Sequence, residues 1–223
     1  QDAGLLLYNS GNSGGARPKA VFSDDTGEWL IKFRHIYDPK EIGLQEYNYN
    51  VLALKCGIEV PDFKLVNDKY YAVKRFDILS SGVRIHTATA GALLCISRSE
   101  PVLDYSNLLA LTGYLTQNSD DVVQMFRRML FNYYAGNKDD HSKNFSFYVI
   151  KDSKNNWTWR LAPAYDLTLN NEGYNGEHAT SVNGTGFPDT RDFIEVGTKN
   201  MISRNQCIQI INEMRDIILQ NKF

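Results

Sequence analysis

An unbroken polar run, Asn137-Lys138-Asp139-Asp140-His141-Ser142-Lys143-Asn144, stands between the two most regular segments of the chain. Before it, residues 120–135 read as a helix. Ser119 is placed to cap it, Asp120 and Asp121 favour its positive end, Gly136 closes it, and Val122, Phe126, Met129, Leu130 and Tyr133 form its inner stripe. After the run comes an alternating strand, and NNWTWRLAPAYDL supplies a second strand that enters another loop, so the pair reads as a hairpin. A turn needs only two or three polar residues. A longer polar stretch wedged between a helix and a strand points to chemistry, the plain alternative being a turn with a capping Asp and an exposed charge pair.

The remaining chain limits what that chemistry can serve. Its 223 residues suffice for one large domain or two small lobes sharing a cleft. Hydrophobic residues at 43% and charged residues at 22% are the mix of a globular chain, and no apolar stretch approaches a bilayer span, so no membrane segment is expected. With 24 basic against 26 acidic residues the net charge is -2, which leaves no field to draw the chain onto nucleic acid or anionic lipid. Cys56, Cys95 and Cys207 are odd in number and far apart. They are expected to be buried packing residues in a reducing, cytoplasmic setting. The chain starts at Gln1 with no initiator Met or leader, so a trimmed or partial chain is expected.

The first third is strand-like and the rest mostly helical. Residues 28–34 alternate, with Trp29, Ile31 and Phe33 on one face and Leu30, Lys32 and Arg34 on the other. From Leu44, the positions Leu44, Tyr47, Val51 and Leu54 predict one stripe of a helix ending near Gly57. Residues 69–77, KYYAVKRFD, are aromatic and β-branched enough for a second strand. Residues 170–189, rich in Gly, Asn and Thr, predict a long ordered loop. A last helix, capped near Ser203, turns Cys207, Ile211, Met214 and Ile218 inward.

Phosphoryl transfer needs an acceptor for the attacking hydroxyl's proton and oxygen ligands for magnesium. Asp139 and Asn144 reproduce the aspartate-to-asparagine spacing of the kinase catalytic loop, and Asp166 follows where a second metal ligand is expected. That spacing selects Asp139 over Asp140 as the base. Lys143 suits neutralisation of a transferring phosphate, although an exposed lysine looks the same, and His141 reads equally well as a structural histidine. A metallo-hydrolase is the weaker reading, since there are four histidines and His35, His86 and His178 are scattered.

Ahead of the first strand, residues 10–19 (SGNSGGARPK) form a glycine-rich stretch able to bring backbone amides against phosphate, or simply to turn. It is not a Walker motif, because Lys19 follows Pro18 and Ala20 replaces the magnesium-binding hydroxyl. Lys32 on a strand and Glu46 on the next helix stand in the order that holds nucleotide phosphates in kinases, against the alternative of two solvated charges. Lys74-Arg75-Phe76-Asp77 ends the second strand, where backbone can pair with an adenine edge and Asp77 can accept a ribose hydroxyl.

Taken in order, GGARPK, WLIKF, QEY, VKRFD, NKDDHSKNFS and APAYDL make the chain resemble, over nearly its whole length, the C-terminal kinase domain of HipA-like serine/threonine kinases, the toxins of bacterial toxin-antitoxin modules. The resemblance implies an α+β, two-lobed protein-kinase-like fold binding ATP and magnesium in the cleft. Residues 1–77 would form a small β-rich lobe and residues 78–223 a larger, mainly helical one. It implies that Asp139 is the base, that Asn144 and Asp166 bind magnesium, and that His141 and Lys143 line the phosphate side. Gly14, Gly15, Ala16, Arg17 and Lys19 would lie over the phosphates, Lys32 would touch them beside Glu46, and Lys74, Arg75 and Phe76 would form the adenine hinge. Autophosphorylation would fall on Ser10 or Ser13, since the family's register points at Asn12 between them.

Two further departures are Lys74, where an acidic residue is common, and the lack of the family's N-terminal subdomain, which predicts a fragment or a short form whose missing part is a separate protein. The implied activity is phosphorylation of a serine or threonine on a protein such as an aminoacyl-tRNA synthetase, with a small helix-turn-helix antitoxin carrying the DNA contact. Alternatives are a kinase of a small hydroxylated metabolite and a nucleotide-binding pseudokinase.

Overall fold

A computed structural model describes residues 17–79, 81–96, 103–170, 173 and 176–221. The chain divides into two compact units, one of residues 1–51 and 61–85, the other of residues 52–60 and 86–223.

The first unit is built on four strands, β1 (Lys19–Asp24), β2 (Gly27–Lys32), β3 (Phe63–Val66) and β4 (Tyr70–Lys74), in the order β1-β2-β4-β3 with every pair antiparallel. The helix α1 (Ile42–Lys55) lies between β2 and β3 in sequence. The alternation at 28–34 is realised in β2, where Trp29 and Ile31 are buried with Ala20 and Ala72. The strand stops at Lys32 instead of Arg34. Likewise β4 covers only part of 69–77, and the chain leaves the sheet after Lys74.

The expected face of α1 is not the buried one. Leu44 and Leu54 are 40% and 50% exposed, whereas Gly43, Glu46, Tyr49, Asn50, Ala53 and Cys56 are buried. A β-carbon on Gly43 would stand 2.1 Å from the Lys69 carbonyl oxygen, so glycine lets the helix lie against the β3–β4 turn. That approach delivers Glu46 to a buried partner. A count of apolar residues cannot anticipate a face organised around a charge.

The second unit holds β5 (Thr87–Thr89), α2 (Ala90–Leu93), α3 (Tyr105–Thr116), α4 (Ser119–Ala135), β6 (Ser146–Lys151), β7 (Trp157–Leu161), α5 (Thr190–Lys199) and α6 (Arg204–Gln220). Its three strands pair antiparallel in the order β5-β6-β7, and β6 with β7 is the expected hairpin. The N-cap of α4 is Asn118, one residue before Ser119, because Asn118 is the last extended residue and its side chain accepts from the amides of Asp120 (2.8 Å) and Asp121 (3.3 Å). Gly136, at φ 78°, closes the helix in the left-handed region as expected. Asp121 does more than face the helix dipole. Its carboxylate, 3% exposed, takes both arms of Arg160 at 2.8 Å and the amide of Leu161 at 3.1 Å, binding α4 to β7.

The helical core contains Leu108, Leu109, Met125, Phe126, Met129, Leu130 and, from α6, Cys207, Ile211 and Met214. Ser203 caps α6 by accepting from the Gln206 amide, as expected. Cys56 and Cys207 are buried, but Cys95 is exposed, since it occupies a left-handed turn position after α2 instead of a packed face. Among the described residues no helix is long and apolar enough to cross a membrane.

Candidate active site

The polar run begins where α4 ends. Asn137 stays attached to the helix through its amide, 2.9 Å from the Asn132 carbonyl, and Gly136 and Lys138 exchange backbone bonds with Asn170. The run therefore lies beside the segment that follows Asp166. Residues Ser142–Asn144 form one 3-10 turn, and the Asn144 side chain reaches back to donate from Nδ2 to the Asp139 carbonyl at 2.8 Å. With the amide nitrogen committed, Asn144 is left with Oδ1, the end a cation takes.

The two aspartates of the run have opposite surroundings. The Asp139 side chain is 52% exposed, and His141 Nε2 stands 3.7 Å from its Oδ1, beyond hydrogen-bond length. Partial burial pushes the Asp139 pKa up, and the charges of Asp166 and Asp140 push the same way against the opposing pull of His141. Asp139 thus feels the carboxylate of Asp166, which sits at φ 52° in the left-handed region. Asp140 is 1% exposed and its carboxylate is surrounded by donors.

Tyr165 joins the turn to the loop that carries Asp166. Its hydroxyl donates to the Lys143 carbonyl at 2.7 Å and also bonds the Ser146 hydroxyl. Lys143 itself is exposed. Behind the turn, Arg128 is 2% exposed and donates from Nη2 to the Ala162 carbonyl at 2.6 Å, while burial brings its guanidinium pKa down to about 10. Tyr105, Asn132 and Asn137 form a buried chain, with Asn132 Nδ2 2.8 Å from the Tyr105 hydroxyl and Asn137 Nδ2 2.9 Å from Asn132 Oδ1.

In the first unit, Lys32 Nζ lies 2.5 Å from Glu46 Oε1, and Asn50 Nδ2 donates to the Glu46 carbonyl at 2.9 Å. Lys19 faces Lys32 across the β1–β2 ladder. Arg17 is paired with Asp38, its Nε 3.0 Å from Oδ2. In the expected hinge, the amides of Lys74 and Arg75 already donate to the carbonyls of Asp62 and Glu28 at 2.8 Å each, which commits both to the protein's own backbone. Arg75 grips Asp77 through two bonds of 2.7 and 2.6 Å, and Phe76 between them is half-buried. Gly14, Gly15 and Ala16, with Ser10 and Ser13, lie outside the described residues.

Among the described residues no group of three or more His, Cys, Asp or Glu could hold a metal. Magnesium needs no such cage. It is commonly held by one or two carboxylates plus phosphate oxygens and water, and Asn144 with Asp166 is a donor set of that chemistry. Sequence reasoning passed over Tyr105, Arg128 and Tyr165 and counted His178 as scattered. The doublet Asp139-Asp140 was the available signal, since neighbouring side chains outside a helix point apart and one of the two carboxylates must find internal partners.

The family model of the HipA-like C-terminal domain matches residues 11–221. A Sinorhizobium fredii protein named "Putative kinase Y4dM" is 25% identical over 174 residues, covering 70% of this chain and 41% of that protein. Among solved structures, HipA of Shewanella oneidensis MR-1, in a toxin-antitoxin complex with HipB and operator DNA, superposes with a TM-score of 0.75 at 20% identity, covering 93% of this chain and 56% of that one. The Helicobacter pylori proinflammatory kinase CtkA superposes at 0.56 with 14% identity, covering 92% and 90%. This chain therefore spans about two fifths of the curated relative and just over half of the Shewanella chain. The fold is protein-kinase-like, and the chain belongs to the family of HipA-like C-terminal domains.

Proposed function

We propose that this chain is the catalytic domain of an ATP- and magnesium-dependent kinase that phosphorylates a serine or threonine of a protein. The observation that carries the reading is the grouping of Asp139, Asn144 and Asp166: a hydrogen bond joins the second to the backbone of the first, and the charge of the third is felt by the first. Asp139 accepts the proton of the attacking hydroxyl as the new O–P bond forms and the β–γ bridge bond of ATP breaks, releasing ADP. A raised carboxyl pKa suits that task and would serve no purpose in a module that only binds nucleotide. Asn144 Oδ1 and Asp166 would hold magnesium, which would supply neutralisation of phosphate charge. Lys143 adds positive charge near the transferred group, His141 lines the phosphate side with it, and Lys32, oriented by Glu46, takes nucleotide phosphates with Arg17 and Lys19.

Three extensions rest on the family. Autophosphorylation at Ser10 or Ser13 would place a dianion in the glycine-rich stretch and silence the enzyme. The Shewanella HipA was solved with HipB and operator DNA. A helix-turn-helix antitoxin is accordingly the partner proposed for this chain, and the net charge of -2 agrees with leaving DNA contact to that partner. The reaction would run in the cytoplasm.

Incubation with labelled ATP, magnesium and cell extract tests the reading. Label is expected on protein bands and on the chain itself, and Asp139→Ala should abolish it without lowering the melting temperature. Label confined to a small molecule would make the chain a metabolite kinase, ATP binding without turnover would make it a pseudokinase, and an Asp139→Ala variant as active as wild type would refute the assigned base.

A further inference from the structure

The second aspartate of the doublet has a task of its own. Asp140 Oδ2 accepts from the Tyr105 hydroxyl at 2.9 Å and stands 3.2 Å from His178 Nδ1. Its Oδ1 accepts from the amides of Ala179 at 2.8 Å and Thr180 at 3.2 Å, and its carbonyl accepts from the Thr180 hydroxyl. One side chain therefore collects donors from three consecutive residues that lie 38 to 40 positions further along the chain. Asp140, Tyr105 and Thr180 are at most 1% exposed.

Neighbouring contacts reinforce the same junction. Lys138 donates from Nζ to the Gly176 carbonyl at 2.9 Å and accepts from the Ala179 amide at 3.3 Å. Tyr133 of α4 stacks on the His178 ring at 3.8 Å and donates to the Thr180 carbonyl at 2.9 Å. The Ser181 carbonyl accepts the Tyr105 amide at 2.9 Å. Residues 176–181 are thus stitched to residues 138–140 on one side and to the start of α3 on the other.

This segment follows Asp166 and precedes α5. In switchable kinases the stretch after the metal-binding aspartate is ordered by adding a phosphate that arginines then grip. Here the anion is already present, and it sits on the polar run while the donors sit on the segment. From this we infer that Asp140 is a positioning residue for phosphoryl transfer: its buried carboxylate clamps residues 176–181 against the polar run, holding Asp139 in place one peptide bond away with no modification of the segment. The inference rests on the kinase reading above, in that the atom being positioned is the proposed base.

The geometry explains why a fixed anchor matters. Asp139 is half-exposed, with the His141 imidazole 3.7 Å away and beyond hydrogen-bond length, so little in its own side chain fixes its direction. A base misplaced by about 1 Å can lose roughly a hundredfold in rate. Anchoring the next residue inside the protein restricts the Asp139 backbone without shielding its carboxylate from a substrate hydroxyl.

Two variants, Asp140→Ala and the near-isosteric Asp140→Asn, test the inference on the full chain by amide hydrogen exchange and steady-state kinetics with ATP and a phosphorylatable protein. Exchange at Ala179 and Thr180 is expected to quicken by about tenfold or more in Asp140→Ala and by less in Asp140→Asn, which keeps an oxygen but loses the charge. The maximal transfer rate should fall by about tenfold to a hundredfold with the KM for ATP unchanged, a split that general loss of structure would not produce. If Asp140→Ala does not fold, Asp140→Asn carries both readouts. Unchanged exchange at Ala179 and Thr180 would overturn the clamp, and faster exchange with wild-type transfer would overturn the positioning role. A wild-type chain inert toward ATP would instead sink the kinase reading, while the exchange rates would still decide the clamp.

Discussion

Lys32 and Glu46 form an ion pair 2.5 Å long with side chains only 8% and 3% exposed, so the link between β2 and α1 is a buried charge pair and not an apolar contact. Removing Glu46 takes the paired carboxylate away from a buried ammonium. Glu46→Ala is therefore expected to cost about 3–5 kcal/mol, whereas the double variant Lys32→Met/Glu46→Leu should regain most of that stability. Urea denaturation checks both. The double variant should still fail to bind ATP in a direct titration, because the phosphate-binding cation is gone, and tight ATP binding by it would remove Lys32 from the proposed site.

Gly43 controls whether that pair can form. An alanine there would normally favour the helix by roughly 0.5–1 kcal/mol, but its β-carbon would meet the Lys69 carbonyl at 2.1 Å and force α1 off the β3–β4 turn. Gly43→Ala should destabilise by about 1–3 kcal/mol and weaken ATP binding in parallel. The control is Gly113→Ala in α3, where the nearest atom is 3.5 Å away and a small gain in stability is expected. A stable, ATP-binding Gly43→Ala protein would show that α1 can shift without disturbing Glu46.

The raised pKa of Asp139 has consequences of opposite sign for activity and stability. As base it must be ionised, so the acid limb of the pH-rate profile is expected above the ordinary aspartate value of 3.8. The folded chain holds this proton to higher pH than the unfolded chain does. The group's favourable contribution is therefore present below the unfolded value and lost as pH rises through the folded one. Asp139→Asn should then melt higher than wild type at neutral pH, with the gain vanishing in acid, while transfer falls by about 10²–10⁴. Melting curves across pH and a rate profile measure the two effects separately, and a variant less stable than wild type at neutral pH would contradict the strained-carboxylate picture.

Asp121 supplies a test of architecture remote from the proposed chemistry. Its fork to Arg160 and its bond to the Leu161 amide are made by a carboxylate only 3% exposed, so Asp121→Ala strands a buried amide and a partly covered guanidinium. The expected loss is about 3 kcal/mol, with Asp121→Asn intermediate because it keeps one acceptor. Chemical denaturation measures it. A loss below about 1 kcal/mol would place the pair among ordinary surface bridges.

Local signals carried far in this protein. The helix α4 with its closing glycine, the hairpin β6–β7 and α6 capped by Ser203 were all legible, because capping and periodicity act within a few residues. The polar run between α4 and β6 was legible for the same reason. The N-cap of α4 was missed by one position, since Asn118 and Ser119 are both good capping residues and only backbone direction separates them.

What the sequence determined by itself was the identity of the chemical groups and the order in which they arrive. It could not say which face of α1 is buried, because Leu44, Tyr47, Val51 and Leu54 look more hydrophobic than the face that carries Glu46, and the choice was made by a lysine 14 residues away. Nor could it say why the second aspartate of the doublet turns inward. Asp140 finds its donors about 40 residues ahead, at His178, Ala179 and Thr180, and a buried carboxylate is tolerated only where such donors converge. Convergence of distant partners is a property of the packed chain, and only the tertiary structure could separate the exposed carboxylate from the anchored one.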